Sequence, residues 1–200
     1  KQRLLANDVP APRFAACRSR EDVSRLVREL GYPLVLKPRQ GAGSRGVMIV
    51  EDEDAMARAW SVIDPATYEC EEFIPGPICH VDGLIQDGKL TFGMASRYVN
   101  TCLQSAQGLP HGSVMIDDPD LQRMLTAFAL RSVQALGLKS SAFHLDVILR
   151  DGSTPVFLEV GARLGGGEIK PLVQDLYGVD TEIRIGNIMN RNAPTRSDRI

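Results

Sequence analysis

The sequence predicts an α+β fold in which antiparallel β-hairpins alternate with amphipathic helices. Apolar runs flank three turn-forming segments, at residues 41–46, 87–88 and 151–154. The middle segment is Asp-Gly, the strongest short-range signal for a two-residue hairpin turn. The chain has 200 residues, of which 44% are hydrophobic, so it is long enough for one large domain or two small lobes with packed cores.

The first hairpin lies in residues 34–50, LVLKPRQGAGSRGVMIV. An apolar run ends in Lys37, the glycine-rich loop 41–46 follows, and Val47–Val50 forms a second apolar run. The loop spells G-x-G-x-x-G, but that motif indicates a dinucleotide site only where a helix follows, and here an extended run follows. Backbone N–H groups of a hairpin tip can bind phosphates, and a nearby lysine adds positive charge. An ordinary flexible loop is the alternative.

Two helices accompany this hairpin. Ser19 and Asp22 resemble a capping box, and Gly31 ends the helix that they begin. A second helix is predicted from Glu53 to about Trp60. The hairpin and its two helices together predict one small lobe.

The next part of the chain begins with an extended run, residues 68–74, and continues with the Asp-Gly hairpin at 80–98. Residues 100–117 contain a proline and two glycines and show little periodicity, so we predict a long loop, which is often functional. Asp118 and Pro119 are typical of the N-cap and first position of a helix. This helix is the most strongly periodic of the chain.

The last hairpin, residues 142–168, carries two acidic residues. If Arg150 pairs with Pro155, Asp146 lies directly opposite Glu159. Side chains in such a pair are about 5 Å apart, and like charges there are destabilising. A cation between them would remove the repulsion, and two carboxylates suit Mg²⁺. The alternatives are two solvent-facing acids or a different register.

Arg163 follows the second acid by four residues, and Gly165, Gly166 and Gly167 come directly after. This order predicts a rigid cation beside the acids, with a backbone that a ligand can approach closely.

Composition excludes several classes of partner. The net charge of −2 gives no indication of nonspecific nucleic-acid or membrane binding, and no signal peptide is evident. No apolar run approaches the roughly 20 residues that span a bilayer. The four cysteines form no C-x-x-C pair, so we expect free buried thiols and a cytoplasmic location. Because the chain starts with Lys and an amphipathic segment begins at once, we expect it to be part of a longer protein.

Five segments, in this order and spacing, together resemble the ATP-grasp superfamily: VLKPRQGAGSRGV, EEFIPGP, HVDGLI, FHLDVIL and FLEVGARLGGG. The similarity is greatest to its biotin-carboxylase-like and L-amino-acid-ligase branch and covers about residues 1–185. It implies two α+β lobes with antiparallel sheets that clasp a nucleotide. The small lobe would comprise residues 1–74 and the large lobe residues 75–200. The N-terminal α/β domain of relatives is not expected in this chain.

The resemblance also implies a role for each matching residue. Lys37 would contact the α-phosphate and the adenine edge, and both Lys37 and Arg163 would be catalytic. Arg163 would stabilise the acylphosphate and the tetrahedral intermediate. Asp146 and Glu159 would bind Mg²⁺ or Mn²⁺. Further ATP contacts would be Gly41, Gly43, Ser44 and Gly46 in a flap over the phosphates, Glu71, Glu72, Phe73 and Ile74 between the lobes, and His80 beside the ribose or phosphates. Candidate substrate contacts are Arg97, His144 and Gly166, for which a surface arginine and a core histidine are the alternatives.

The chain departs from the family pattern at several positions. Ile78 stands where many relatives have a glutamate, which puts the ribose contact in doubt, and Gly161 stands where many have an asparagine. Asp146 replaces a more common glutamate. A further nucleotide-contacting lysine of the relatives is expected ahead of residue 1.

The resemblance implies an ATP-dependent ligase that joins a small-molecule carboxylate to an amine through an acylphosphate. A bicarbonate-activating enzyme like biotin carboxylase or carbamoyl-phosphate synthase, and a nucleotide-binding module without turnover, are the alternatives. The strand after the glycine loop argues against a Rossmann dehydrogenase, and the absence of H-R-D and D-F-G argues against a protein kinase. We expect no nucleic-acid or membrane partner. A homodimer is compatible with the sequence, which defines neither the assembly nor the substrates.

Overall fold

The computed structural model describes residues 1–41 and 43–178, which form two antiparallel sheets with helices packed against them. The first sheet has the order β1-β4-β2-β3 and the second the order β7-β6-β5-β8-β9. The strands are β1 (Phe14–Ala16), β2 (Leu34–Pro38), β3 (Met48–Val50), β4 (Tyr68–Glu72), β5 (Ile78–Gln86), β6 (Lys89–Tyr98), β7 (Ser113–Met115), β8 (Ser141–Arg150) and β9 (Thr154–Gly161). The helices are α1 (Gln2–Leu5), α2 (Arg20–Leu30), α3 (Glu53–Val62), α4 (Cys102–Ala106), α5 (Pro119–Leu136) and α6 (Ile169–Tyr177).

The first sheet packs against α2 and α3. The Ser19 side chain accepts a hydrogen bond from the Asp22 N–H, and Asp52 caps α3 in the same way through the Ala55 N–H. β2 pairs antiparallel with β3, which confirms that the glycine loop is a hairpin tip. The core of this sheet contains Cys17, Val23, Leu26, Leu34, Leu36, Val50, Met56, Ala59 and Cys70.

The second sheet packs one face against α5. Asp118 caps this helix and Pro119 is its first residue, as predicted, and Gly137 ends the helix in a left-handed conformation. Its core includes Cys79, Val81, Ala95, Leu125, Phe128, Val133, Leu145 and Val147. Part of the other face is covered by α6, which contributes Val173.

The structure corrects the prediction that residues 100–117 form a long irregular loop. They contain α4, which begins with a capping box between Thr101 and Gln104, and the edge strand β7. Elements of five and three residues are too short to produce a readable hydrophobic period. None of the residues in α4 or β7 is buried, which weakened the signal further.

The acidic hairpin has the predicted acid pair but not the predicted register at its turn. Asp146 pairs with Glu159, whereas Arg150 pairs with Thr154 rather than Pro155. The two registers are reconciled by a bulge, because the pairing shifts by one residue between Asp146 and its neighbour on β8. Bulges are frequent next to functional sites, where they redirect a side chain.

Three apolar residues near the start of the chain pack with the second sheet rather than the first. Leu4, Val9 and Ala11 belong to the same core as α5 and β8. The division into lobes at residue 74 stays a prediction, although the chain passes from one sheet to the other between β4 and β5. In the described ranges, no helix combines the length and the apolar character needed to cross a bilayer.

Candidate active site

Two lysines and two glutamates form a charged cluster on the first sheet. Lys37 Nζ lies 2.9 Å from Glu71 Oε2, and the Glu71 side chain is buried. Lys1 also contacts Glu71, and its Nζ lies 2.8 Å from Glu69 Oε1. Burial raises the pKa of the Glu71 carboxyl, although the charges of Lys37 and Lys1 oppose this shift. The cluster therefore holds two cations beside the central strands β2 and β4 of this sheet.

Lys1 was missed by sequence reasoning, and the further lysine expected ahead of residue 1 stays a prediction. The structure places Lys1 beside Lys37, with both ammonium groups on the same carboxylate. A lysine at the first position offers no pattern to read. Its partners, Glu69 and Glu71, follow it by 68 and 70 positions, so only the folded chain brings them together.

The glycine-rich hairpin tip has left-handed backbone at Gly43, Ser44 and Gly46. A Cβ at Gly46 would lie 2.6 Å from the Tyr68 hydroxyl, whereas a Cβ at Gly43 would meet nothing within 4 Å. Gly46 is therefore needed for its backbone conformation and for the space beside Tyr68. Gly43 is needed for its backbone conformation alone. The predicted phosphate contacts of Gly41, Gly43, Ser44 and Gly46 stay predictions.

The end of β4 and the segment between the sheets, residues 73–77, are fixed against the end of β8. Arg150 Nη2 donates to Glu72 Oε1 at 2.8 Å. A Cβ at Gly76 would lie 2.2 Å from the Leu149 carbonyl oxygen, so the backbones are in close contact there. Ile74 is buried, whereas Phe73 is half-buried. The adenine contacts predicted for Glu71, Glu72, Phe73 and Ile74 stay predictions.

The acid pair lies on the face of the second sheet that is opposite to α5. Asp146 is 4% exposed, whereas Glu159 across the strand pair is exposed. Burial, together with the charge of Glu159, raises the pKa of Asp146 to about 6, although the charge of His144 opposes the shift. A buried carboxylate opposite a second carboxylate is stabilised when it binds a proton or a cation.

Behind the acid pair is a buried hydrogen-bonded cluster centred on Asp82. Its Oδ2 lies 2.8 Å from His80 Nδ1, and its Oδ1 lies 2.9 Å from His144 Nδ1. The Gly165 N–H donates to the same Oδ1 at 2.7 Å. Burial alone would raise the pKa of Asp82, but the hydrogen bonds from His144 and His80 lower it to about 2.

The second nitrogen of His144 faces the acid pair. His144 Nε2 lies 3.2 Å from the Tyr98 hydroxyl, which donates to Asp146 Oδ1 at 3.1 Å. Burial lowers the pKa of His144, but the hydrogen bond to Asp82 and the charges of Asp82 and Asp146 outweigh it and raise the pKa. A continuous chain of polar contacts thus runs from Asp82 to Asp146.

His80 has no exposed surface, and its Nε2 has no hydrogen-bond partner among the described residues. The predicted contact of His80 with a nucleotide stays a prediction, and it would require the ring to become accessible. The structure does bring His144 to the acid pair, as part of the buried cluster.

The remaining predicted residues differ in position. Arg163 is exposed, and its Nη1 donates to the Leu164 carbonyl at 2.9 Å, just beyond β9. Gly166 is exposed in the same segment. Arg97 does not join them: it alternates with Tyr98 along β6 and so projects from the opposite face of the sheet. The substrate contact predicted for Arg97 has no support in this arrangement.

Cys102, the first residue of α4, lies close to the acid pair. Burial raises the pKa of its thiol, and the charges of Asp146 and Glu159 raise it further. Cys102 is half-buried, whereas the other three cysteines are buried. All four are free thiols, as expected.

Asp82 and Tyr98 were also missed by sequence reasoning, but the sequence did contain a signal. Two His-x-Asp triplets occur, at residues 80–82 and 144–146. On antiparallel neighbours, alternate residues share a face, and here His80 pairs with Asp146 and Asp82 with His144. The two triplets therefore predict a complementary polar patch once β5 and β8 are taken as partners.

A comparison with protein-family models matches residues 1–167 to the ATP-grasp domain. The chain is 29% identical over 160 residues to dapdiamide A synthase of Enterobacter agglomerans, a match that covers 74% of this chain and 37% of that protein. It is 21% identical over 193 residues to the L-arginine-specific L-amino acid ligase of Bacillus subtilis, covering 90% of this chain and 45% of the ligase. The chain thus spans less than half the length of these two relatives.

Solved structures share the fold. L-amino acid ligase from Bacillus licheniformis superposes with a TM-score of 0.73 at 22% identity, covering 100% of this chain and 48% of that chain. D-alanine–D-alanine ligase from Bacillus anthracis, in complex with ATP, gives the same TM-score and identity over 96% of this chain and 64% of that chain. Since the family model matches most of the chain and the two-sheet architecture agrees with these structures, the protein belongs to the ATP-grasp family.

Proposed function

We propose that this chain is the ATP-binding part of an ATP-dependent carboxylate–amine ligase that acts on amino acids or peptides. A carboxylate oxygen attacks the γ-phosphorus of ATP, the bond from that phosphorus to the bridging oxygen breaks, and ADP leaves. An amine nitrogen then attacks the carbonyl carbon of the acylphosphate. Phosphate leaves, the nitrogen loses a proton, and a C–N bond remains.

The observation that carries this proposal is the pairing of Asp146 with Glu159. A buried carboxylate directly opposite a second carboxylate is unfavourable without a cation. The raised pKa of Asp146 has burial and the charge of Glu159 among its causes. Phosphoryl transfer requires this kind of site, because a divalent cation neutralises charge on the phosphate oxygens.

The donor set fits Mg²⁺ or Mn²⁺. Both are hard cations that take oxygen ligands, and Mg²⁺ is commonly bound by one or two carboxylates together with substrate phosphates. Asp146 and Glu159 would hold the cation, which neutralises charge on the phosphates when bound. The Tyr98 hydroxyl donates to Oδ1 of Asp146 and so does not occupy Oδ2, which a ligand could contact.

The cationic side chains would supply the remaining positive charge near the phosphates. Lys37 and Lys1, which share Glu71, would turn to the phosphates when a nucleotide displaces them from that carboxylate. Arg163, exposed beyond β9, would stabilise the negative charge on the acylphosphate and on the tetrahedral intermediate. No protein nucleophile is needed, because the substrates provide both nucleophiles.

The relatives support the class of substrate. They include an L-arginine-specific L-amino acid ligase and an alanine–anticapsin ligase. The test is ADP release by the full-length protein across a library of amino-acid pairs, with the product identified by mass spectrometry. ADP release that depends on bicarbonate without an amine would favour the carboxylase alternative. ATP binding without any ADP release would favour a module without turnover.

Glu159→Gln is the sharpest variant for this proposal. It retains side-chain size and removes one of the two charges, so we expect ADP formation to be abolished while the fold is retained. Glu21→Gln, on the exposed surface of α2, makes the same chemical change and should leave ADP formation unchanged. Near-normal ADP release by folded Glu159→Gln would remove the metal site and most of the case for the ligase.

A further inference from the structure

We propose that Asp82 is a positioning residue for the metal site. Through His144 it orients the Asp146 carboxylate, and through Gly165 it holds the segment that follows Arg163. This inference rests on the proposed function, because it assigns a second layer of residues to the same site.

The Asp82 carboxylate is well placed to fix its neighbours. It is fully buried, and it receives contacts of 2.7–2.9 Å from two imidazoles and one backbone N–H. Charge-assisted hydrogen bonds of this length are stronger than neutral ones. Each donor comes from a different part of the chain, since His80 is on β5, His144 is on β8, and Gly165 follows β9. Asp82 therefore joins three segments at one point.

His144 transmits this constraint to the acid pair. With Nδ1–H directed at Asp82, the ring is left with Nε2 3.4 Å from Asp146 Oδ1. The Tyr98 hydroxyl links His144 Nε2 to Asp146 Oδ1, because it lies within 3.2 Å of both atoms. Groups that hydrogen-bond to metal ligands set the orientation of those ligands and commonly affect metal affinity. Asp82 acts on Asp146 in this way without touching it.

Gly165 shows how closely the segment after β9 approaches the cluster. A Cβ at this position would lie 2.9 Å from both Asp82 Oδ1 and His144 Nδ1, and 2.3 Å from Ile169 Cδ1. Only glycine lets the backbone N–H reach Asp82. Because Arg163 is two residues away, the same hydrogen bond limits the position of the backbone that carries it.

His80, Asp82 and His144 are also close enough to hold a metal ion themselves. Their hydrogen bonds favour positioning instead. The nearest nitrogen of each imidazole is already paired with Asp82, and one oxygen of Asp82 also accepts from Gly165. A metal would have to displace both imidazole contacts from Asp82, which has no exposed surface.

The test measures Mn²⁺ binding to the full-length protein in the presence of ATP by calorimetry. Asp82→Asn keeps the shape but removes the charge, so we expect Mn²⁺ affinity to fall by about 10- to 100-fold. ATP affinity without a divalent cation should not change. Asp118→Asn is the matched control, because asparagine caps a helix as well as aspartate and α5 should be undisturbed.

The outcomes separate this inference from the proposed function. If wild-type protein binds no Mn²⁺ with ATP, or if Glu159→Gln binds it normally, the proposed function fails. If Glu159→Gln loses Mn²⁺ while folded Asp82→Asn binds within twofold of wild type, only the role of Asp82 fails. One equivalent of metal retained by Glu159→Gln but absent from Asp82→Asn would show a metal site at Asp82 and overturn the positioning role.

A second measurement needs no variant at Asp82. The protein has three histidines, so their ¹⁵N resonances can be assigned by substitution. His144 is expected to carry a proton on Nδ1 both before and after Mg²⁺ and ATP are added, with its Nε2 resonance moving on addition. Exposed His111 serves as the internal comparison. An Nε2-protonated tautomer with a bare Nδ1 would contradict the proposal even if Asp82→Asn does not fold.

Discussion

In the metal-free fold, the environment of Asp146 favours the neutral form of its carboxyl group. Burial, with a contribution from Glu159, raises its pKa from 3.8 to about 6. A carboxyl with a raised pKa binds more protons in the native state, so it stabilises the fold at low pH. That stabilisation is lost as pH rises from about 4 to about 6. A shift of about two units corresponds to roughly 3 kcal/mol.

Asp146→Asn should therefore stabilise the metal-free protein above pH 6. The free energy of unfolding, measured by urea denaturation, is expected to exceed that of wild type by up to about 3 kcal/mol at pH 8 and to converge with it near pH 4. Glu159→Gln should give a smaller gain, because Glu159 is exposed and only one of the causes of the shift. A difference that does not vary with pH would refute the electrostatic explanation.

The glycine-rich hairpin is constrained both by its left-handed backbone and by a close contact with Tyr68. Gly43→Ala and Gly46→Ala both place a side chain in left-handed backbone, which costs roughly 1 kcal/mol or more. Gly46→Ala adds a contact with the Tyr68 hydroxyl at 2.6 Å, whereas Gly43→Ala adds none. We expect urea denaturation to show a clearly larger loss of stability for Gly46→Ala. Equal losses would mean that the hairpin tip relaxes away from Tyr68 at little cost.

Elements with local signals were predictable, and those defined by distant pairing were not. Ser19, Asp118 and the Asp-Gly turn each act within a few residues, so the helices and hairpins that they begin or connect were found. The bulge in the last hairpin has no local signature, so the correct acid pair came with a wrong pairing at Arg150. The cluster around Asp82 depends on β5 lying beside β8, which the sequence did not indicate.

At the scale of the molecule, one polar link between the two sheets is the partly exposed pair of Arg150 and Glu72. Such pairs contribute at most about 1 kcal/mol. A nucleotide that binds the folded chain but not the unfolded chain should add more to stability than this pair does. With Mg²⁺ and ATP at 100 times the dissociation constant, the free energy of unfolding should rise by about 2.7 kcal/mol.

Lys37→Ala should reduce this gain at the same ATP concentration. The contact that it removes is worth about 1.5–3 kcal/mol, so affinity should fall about tenfold or more and the gain to about 1.4 kcal/mol or less. Calorimetry on the same samples gives the dissociation constants directly. Lys139→Ala removes an exposed lysine and should retain the full gain. An unchanged dissociation constant for Lys37→Ala would remove that lysine from the nucleotide site.

The position of Cys102 gives the protein a built-in chemical reporter. Thiolates react with alkylating reagents and thiols do not, so the raised pKa of Cys102 should make it slow to label. A divalent cation on Asp146 and Glu159 would cancel two of the charges that raise this pKa, and labelling should then accelerate. The three buried cysteines should not be labelled, and Cys102→Ser should abolish the labelling. The rate of modification at one sulfur atom would thus report cation occupancy in solution, without any need to know the substrates.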